Sequence, residues 1–242
     1  MNIIICETYE KMSEAAATII AAQVMTKQDS ILGLATGSTP LGTYSGLIQL
    51  HRGGSLDFKN VRTFNLDEYV GIEKTNSRSY FYFMNENLFS KINIAAANTK
   101  IPNGLADDLE CECKEYEKLI EMAGGIDLQL LGIGHNGHIG FNEPDAYFPQ
   151  NTHIVKLAET TIEANSRFFS DARDVPTSAI TMGIGTIMKA RKVILLASGK
   201  DKADIVRELI CGDVKPQVPA SILRFHNDVT IITDAAAGAK IA

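Results

Sequence analysis

Residues 31–35 read Ile-Leu-Gly-Leu-Ala and run directly into the polar segment Thr36-Gly37-Ser38-Thr39-Pro40. The run is apolar on both of its alternating faces, which is typical of a strand that helices cover on two sides. Residues 193–197, Val-Ile-Leu-Leu-Ala, have the same character. These stretches predict strands in the interior of a mostly parallel sheet.

Apolar runs of strand length alternate with helix-period segments along the rest of the chain. The predicted strands are Asn2–Cys6, Ser30–Ala35, Val61–Leu66, Ile126–Ile133, His153–Leu157, Lys192–Ala197 and Val229–Thr233. The predicted helices are Tyr9–Lys27, Gly42–Leu50, Tyr80–Phe89, Asp107–Met122, Thr177–Lys189 and Lys202–Ile210. This alternation implies a mostly parallel sheet with right-handed crossovers. We therefore expect one α/β domain over residues 1–242.

The composition excludes several classes of protein. Among 242 residues, 45% are hydrophobic and 21% charged, which is ordinary for a globular domain and argues against disorder. The net charge of −6 leaves no basic surplus for binding nucleic acid or an anionic membrane. The four cysteines lack the spacing of a zinc site, and we expect them to be reduced thiols. The sequence shows no basic leader and no run of about 20 apolar residues, so we expect a cytoplasmic protein.

The segment that follows the strand at 31–35 has the features of an anion-binding turn. Gly37 allows a tight turn, after which the amides and hydroxyls of Ser38 and Thr39 can converge on an anion at a helix N-terminus. Pro40 suits the first turn of that helix. The nucleotide pattern G-x-x-x-x-G-K-[ST] is absent from the sequence. The alternative is a plain strand–helix turn that is capped by Thr or Ser.

Two adjacent carboxylates, Asp67 and Glu68, end the strand predicted at 61–66. At that point one of the two points into the cleft and the other points away from it. Partial burial raises the pKa of a carboxyl group towards neutrality, which suits a general base. The alternative is that both acids are solvated turn or cap residues.

A glycine-rich loop follows the strand predicted at 126–133. Its glycines Gly132, Gly134 and Gly137 match G-x-G-x-x-G, but a dinucleotide site needs a helix to begin at the third glycine. Gly140 and Pro144 disfavour such a helix, so we reject that interpretation.

The same loop carries His138 and Glu143 within five residues. A carboxylate that is hydrogen-bonded to an imidazole fixes its tautomer, as a proton shuttle requires. His135 and His138 could also suggest metal ligands, but the sequence supplies no clear third ligand and we expect no metal.

Two cations in the second half of the chain could meet an anion above the sheet. Arg167 lies in Ala-Asn-Ser-Arg-Phe-Phe, and Lys202 follows the strand predicted at 192–197. Each alone is more often a surface charge. Together with the anion turn, the strand-end acid and the His/Glu pair, they indicate acid–base chemistry on a phosphorylated small molecule, such as a sugar-phosphate isomerisation.

The chain resembles the glucosamine-6-phosphate deaminase family over nearly its whole length. The motifs that carry the resemblance are LGLATGSTP at 32–40, NLDEY at 65–69, GIGHNGHIGFNEP at 132–144, ANSRFF at 164–169, TMGIGT at 181–186 and GKDKA at 199–203. The resemblance implies a Rossmann-like, three-layer αβα domain shared with ribose-phosphate isomerases. It also implies conversion of glucosamine 6-phosphate and water to fructose 6-phosphate and ammonia, without metal or organic cofactor.

The resemblance assigns roles to individual residues. The positions that match the family's phosphate-binding residues are Gly37, Ser38, Thr39, Arg167 and Lys202. His138 matches the residue that moves a proton between the ring oxygen and O1 during ring opening, supported by Asn136 and Glu143. Asp67 matches the base that takes the C2 proton and delivers it to C1. The implied partner is a small sugar phosphate, and the resemblance leaves open whether the chain is a monomer or a homo-oligomer.

The chain departs from many family members at several positions. Asn136 stands where some members have Asp, so Glu143 alone supplies negative charge beside His138 and Asn136 orients the ring. Ser38 replaces a glycine and adds a hydroxyl donor. Residues 145–155 lack the Arg and Lys that allosteric members use, so we expect hyperbolic kinetics without activation by N-acetylglucosamine 6-phosphate. Residues 158–176 match a mobile lid.

Two other functions remain open at this stage. Another sugar-phosphate isomerase or a lactonase of the same fold would share much of this site, and the Asn-Glu-Pro string favours the deaminase. A non-catalytic sugar-phosphate sensor would usually lack Asp67 or His138 and carry an extension for DNA or a partner. This chain has both residues, and we expect no such extension.

Overall fold

A computed structural model describes residues 1–157 and 175–241 of the chain. The strands are β1 (Asn2–Cys6), β2 (Ile31–Leu34), β3 (Arg62–Asn65), β4 (Asp67–Tyr69), β5 (Thr99–Lys100), β6 (Leu128–Gly132), β7 (His153–Lys156), β8 (Ser178–Thr181), β9 (Lys192–Ala197) and β10 (Val229–Asp234). The helices are α1 (Tyr9–Thr26), α2 (Leu41–Arg52), α3 (Tyr80–Asn87), α4 (Leu109–Ala123), α5 (Ile184–Met188), α6 (Ala203–Cys211) and α7 (Ala235–Gly238). None of these helices is long and apolar enough to cross a membrane.

Seven strands form the central sheet in the order β1-β10-β9-β6-β2-β3-β5. Every pairing in this sheet is parallel. The predicted α/β class with a mostly parallel sheet and helices on both sides is therefore confirmed. Parallel strands bring their carboxyl ends to one edge, which is where this architecture places ligand sites.

The sheet separates two hydrophobic cores because its inner strands β6 and β9 bury apolar side chains on both faces. Leu130 on β6 packs with residues of α1 and α2, whereas its neighbour Leu131 packs with residues of α4 and α6. Ile194 and Leu195 on β9 divide between the two cores in the same way. The alternation of side chains along a strand thus explains why these runs contain no polar face.

A second, antiparallel sheet of order β4-β8-β7 lies beside the end of β3. The helix predicted over 177–189 is wrong in its first half, because residues 178–181 form β8 and only residues 184–188 are helical. β8 lies between β4 and β7 and hydrogen-bonds with both, so cross-strand pairing outweighs the local helical pattern. The strand predicted at 153–157 exists as β7, but it belongs to this small sheet.

A buried carboxylate, Asp127, ties several elements together at the amino ends of the strands. Its oxygens accept hydrogen bonds from the Ile31 N–H at 2.8 Å, the Lys27 ammonium at 2.6 Å and the Arg191 guanidinium at 3.0 Å. Its side chain is 4% exposed. Removal of the carboxylate would therefore leave one buried N–H without an acceptor and two cations without their ion-pair partner.

We expect Asp127→Ala to lower the free energy of unfolding by about 3 kcal/mol, as loss of a buried, hydrogen-bonded charge does. Denaturant titration at neutral pH measures the change. Asp204→Ala is the control, because Asp204 pairs with Lys240 at the surface and its removal should cost less than about 1 kcal/mol. Equal losses in the two variants would contradict this assignment.

Candidate active site

A cavity of about 300 Å³ opens at the carboxyl ends of β2, β3 and β6. Among the predicted site residues, those that line it are Gly37, Ser38, Thr39, Asp67, His138 and Lys202. Asn136 and Glu143 contact His138. Arg167 and all but the last two residues of the predicted lid lie outside the described residues.

The turn after β2 forms one wall of the cavity. Gly37 has a φ of 100°, a left-handed conformation that favours glycine, and Pro40 is the N-cap of α2. Within the described part of the chain, the N–H groups of Gly37, Ser38 and Thr39 donate to no protein acceptor. Three free amides at the positive end of a helix form a site suited to a phosphate group.

Lys202 brings positive charge to the same cavity. It ends a short 3-10 turn, residues 200–202, between β9 and α6, and its side chain is partly buried. Burial lowers the pKa of its ammonium, and the carboxylate of Asp201 opposes that shift. A partly desolvated ammonium interacts more strongly with an anion than a fully hydrated one does.

Asp67 and Glu68 take opposite directions, as the sequence predicts for adjacent strand-end acids. Glu68 accepts hydrogen bonds from the backbone N–H groups of Tyr69, Tyr80 and Phe81, each at 2.9 Å, and so caps the start of α3. Asp67 lines the cavity instead, and no donor among the described residues bonds to its carboxyl oxygens. Asp67 is therefore the acid that a ligand can reach.

The surroundings of Asp67 favour its protonated form. Burial raises the pKa of its carboxyl group to about 8, and the nearby charge of Glu68 adds to the increase. Burial also raises the pKa of Glu68, although its three backbone hydrogen bonds oppose the shift. A base whose pKa lies near neutrality can both accept and return a proton at physiological pH.

The imidazole of His138 is held from one side by Asn136 and Glu143. Its Nδ1 lies 2.8 Å from Asn136 Oδ1 and 3.1 Å from Glu143 Oε1, and Asn136 Nδ2 donates to Glu143 Oε2 at 2.6 Å. Because two oxygen acceptors face Nδ1, that nitrogen carries the proton, which leaves Nε2 as the ring atom available to a ligand.

The balance of forces on Glu143 keeps it charged. Burial raises the pKa of its carboxyl group, but the hydrogen bond and positive charge of His138 and the hydrogen bond from Asn136 outweigh burial and lower it. Glu143 is thus an anion placed to stabilise an imidazolium at His138 when Nε2 takes up a proton. Asp67 and Glu143 are two carboxyl groups whose environments shift their pKa values in opposite directions, which separates their roles.

Gly134 leaves room for the His138 ring. A Cβ atom at Gly134 would lie 2.2 Å from the Cε1 atom and 2.3 Å from each nitrogen of that ring. The backbone N–H of Gly134 also donates to the His138 carbonyl at 2.9 Å. The glycine therefore fixes how closely the ring can approach the loop.

The structure adds residues that the sequence does not predict. Tyr80 and Phe141 line the cavity with rings stacked at 6.1 Å and 7°, and Tyr69 packs against both. His135, considered above only as a possible metal ligand, also lines the cavity, and its Nε2 lies 2.5 Å from Asp201 Oδ2. The aromatic rings come from three separate segments of the chain, so no local pattern predicts their contacts.

The alternatives raised by the glycine-rich loop find no support in the described residues. No helix begins at Gly137, because residues 138–152 form turns and a bridge between Ile139 and Asn142. Over 1–157 and 175–241, no three His, Cys, Asp or Glu side chains are arranged to hold a metal ion. His135 and His138 contact different partners, Asp201 and the Asn136/Glu143 pair.

Proteins of known name and known structure resemble this chain over its full length. A relative named glucosamine-6-phosphate deaminase from Lachnoclostridium phytofermentans is 59% identical, covering 96% of this chain and 98% of its own length. One of the same name from Clostridium botulinum is 55% identical over 100% of this chain and 99% of its own.

Solved structures agree with the fold. A structure described as a monomeric glucosamine-6-phosphate deaminase superposes with a TM-score of 0.95 at 48% identity, covering 99% of this chain and 100% of its own. A 6-phosphogluconolactonase from Trypanosoma cruzi shares the fold with a TM-score of 0.79 at 22% identity, over 100% and 97% of the two chains.

The family resemblance predicted from the motifs is confirmed by an independent match. The sequence profile described as glucosamine-6-phosphate isomerases/6-phosphogluconolactonase matches residues 6–232. That range includes every residue of the candidate site. The chain belongs to the glucosamine-6-phosphate isomerase/6-phosphogluconolactonase family.

Proposed function

We propose that this chain converts glucosamine 6-phosphate and water to fructose 6-phosphate and ammonia. One observation carries the proposal: a buried Asp67 and an oriented His138 line the same cavity as Lys202 and three amides, and neither the Asp67 carboxyl group nor those amides have a hydrogen-bond partner among residues 1–157 and 175–241. The full-length relatives of that name support it.

The phosphate group of the substrate binds first in this proposal. The amides and hydroxyls of Ser38 and Thr39 donate to its oxygens, the N-terminal end of α2 adds its dipole, and Lys202 supplies a full charge. The anion turn and Lys202 together fix one end of the sugar. Its C1 and C2 atoms then lie between His138 and Asp67.

Ring opening is the step that we assign to His138. Nε2 takes the proton from the O1 hydroxyl and returns it to the ring oxygen as the C1–O5 bond breaks, which gives the open-chain aldehyde. Glu143 stabilises the imidazolium that exists between the two transfers, and Asn136 holds the ring in its plane.

Asp67 carries out the next proton transfer. Its carboxylate takes the proton from C2 while O1 takes one from the substrate's own ammonium group, which gives an enolamine with a C1=C2 double bond and a C1 hydroxyl. Asp67 then delivers its proton to C1. The product is an iminium ion at C2. Water adds to C2, the C–N bond breaks, and ammonia leaves with fructose 6-phosphate as the second product.

A product assay tests the proposal. Purified protein is incubated with glucosamine 6-phosphate at neutral pH with a chelator present, and ammonia and fructose 6-phosphate are measured in parallel. Equal amounts of both products are expected. Hydrolysis of 6-phosphogluconolactone without ammonia release would instead favour the lactonase function, and binding without any turnover would favour the sensor.

Lys202→Gln is expected to raise KM for glucosamine 6-phosphate about tenfold or more while kcat changes less, because a charge-assisted bond to phosphate is lost. Lys200→Gln is the matched control. Lys200 lies in the same 3-10 turn, is exposed and does not line the cavity. The KM of Lys200→Gln should therefore stay within about twofold of the parent value. Equal changes in the two variants would contradict the role of Lys202.

The proposal includes a cytoplasmic location and a sugar phosphate as the only required partner. The four cysteines are all free thiols, which fits a reducing compartment. A doubly charged phosphate ester also does not cross membranes unaided, so the substrate stays where it is made.

A further inference from the structure

Tyr9, the first residue of α1, reaches across to the anion-binding turn. Its hydroxyl oxygen accepts a hydrogen bond from the Gly42 N–H at 2.8 Å. The hydroxyl hydrogen lies within reach of two backbone carbonyls, Thr39 at 3.1 Å and Ser38 at 3.2 Å. Since a phenol has one proton, it donates to one carbonyl at a time.

The helix that follows the turn has no capping side chain of its own. Pro40 occupies the N-cap of α2 and makes no side-chain hydrogen bond to the first turn. The first N–H groups of a helix need an acceptor from outside the helix. The Tyr9 hydroxyl supplies one for Gly42, the role that a Ser or Asp side chain has at other helices.

The carbonyl contacts matter because of what the turn must bind. A backbone that directs its N–H groups at an anion has to direct its carbonyls elsewhere, since a carbonyl oxygen repels phosphate. Tyr9 does not line the active-site cavity; it lines a groove between α1 and α2. The carbonyls of Ser38 and Thr39 that it binds are therefore held away from the ligand.

We propose that Tyr9 is a positioning residue for the phosphate site. It holds the turn formed by residues 37–40 in the conformation that presents its amides, and it acts from outside the cavity without touching the substrate. The identity of the substrate rests on the function proposed above. The effect on anion binding rests on the turn alone.

Tyr9→Phe removes the hydroxyl and keeps the ring, so it tests the hydrogen bonds without leaving a void. We expect KM for glucosamine 6-phosphate and the Kd for inorganic phosphate to rise by a common factor of about three to ten, as loss of a hydrogen bond predicts. We expect kcat to stay within about twofold, because Asp67 and His138 are untouched. Enzyme assays and calorimetric titration with phosphate measure these values.

Tyr82→Phe is the matched control for the chemical change. Tyr82 lies on α3, is 37% exposed, and its hydroxyl makes no hydrogen bond within the described residues. The KM for glucosamine 6-phosphate, the Kd for phosphate and the Tm of the Tyr82→Phe variant should match those of the parent protein. If Tyr9→Phe lowers Tm but leaves the phosphate Kd unchanged, Tyr9 is only structural and the proposal is overturned.

The titration also separates this proposal from the function it deepens. If the parent protein releases no ammonia but binds phosphate, the deaminase function fails, and the Kd of Tyr9→Phe still decides the role of Tyr9. If the parent protein binds no phosphate, the anion site itself is absent and the proposal is overturned. A loss of kcat at unchanged Kd overturns it as well.

Discussion

Asp67→Asn should lower kcat for ammonia release by about a thousandfold or more, because an amide cannot take the C2 proton and positioned bases commonly supply effects of this size. The amide has the shape of the acid and the phosphate turn is unchanged, so the affinity for fructose 6-phosphate should stay within about threefold. Steady-state assays and calorimetric titration measure the two quantities. Asp204→Asn, on the surface, is the control for loss of one carboxylate.

Exchange with solvent tests whether Asp67 moves the proton between C2 and C1. In deuterated water, the parent protein should place deuterium on C1 of the fructose 6-phosphate in those turnovers in which the proton on the Asp67 carboxyl group exchanges with solvent before it is delivered, whereas Asp67→Asn should place none. A variant that retains more than about a tenth of the parent kcat would show that another group is the base.

The pH dependence of the reaction follows from the same carboxyl group. Because burial raises the pKa of Asp67 to about 8, the ionised base is a minority species at neutral pH. We expect kcat/KM to rise with pH and to level off above about 8, since kcat/KM reports the free enzyme. A rising limb centred near the ordinary carboxyl value of 3.8 would contradict the burial of Asp67.

Stability should show the opposite pH dependence. A carboxyl group whose pKa is higher in the folded than in the unfolded state stabilises the fold when protonated, and that stabilisation is lost as pH rises through about 8. Asp67→Asn has no charge to bury. It should therefore exceed the parent protein in free energy of unfolding by about 1 to 3 kcal/mol at pH 9, and the excess should decrease towards acidic pH.

The sequence predicts the central sheet well because its signals are local. β1 and β9 have the predicted bounds because each contains a continuous apolar run. In β9 that run is buried on both faces, whereas β1 is an edge strand whose isoleucines are partly exposed. β8 is missed because residues 178–181 become a strand only through pairing with β4 and β7, which come from distant parts of the chain. Tertiary pairing of that kind leaves no mark on local periodicity.

In the candidate site, too, contacts within one loop are predictable from the sequence and contacts between distant segments are not. The link between His138 and Glu143 is predictable, since five residues separate them in one loop. The local pattern does not choose between Asp67 and Glu68, because the choice depends on the N-terminus of α3, whose N–H groups donate to Glu68; only the family resemblance points to Asp67. The role of Tyr9 is not predictable for the same reason, since 33 residues separate it from Gly42, whose N–H donates a hydrogen bond to the Tyr9 hydroxyl.

The strongest prediction for a residue that takes no part in proton transfer concerns Gly134. Its φ is not positive, so its backbone can accept alanine, and the three atoms nearest to an added methyl group all belong to the His138 ring. Gly134→Ala should therefore fold and bind sugar phosphates while forcing the ring out of place. We expect kcat to decrease about a hundredfold, the scale of lost general acid–base catalysis.

A double-mutant cycle with His138→Ala tests whether the effect runs through the ring. In the absence of the imidazole, the methyl group at 134 occupies the space that the ring leaves. Gly134→Ala should then cause no further loss of kcat, although each single variant is strongly impaired. If the fold-decrease in kcat of the double variant instead equals the product of the two single decreases, the methyl group at 134 acts independently of the His138 ring. The prediction that Gly134 provides the space for that ring would then be wrong.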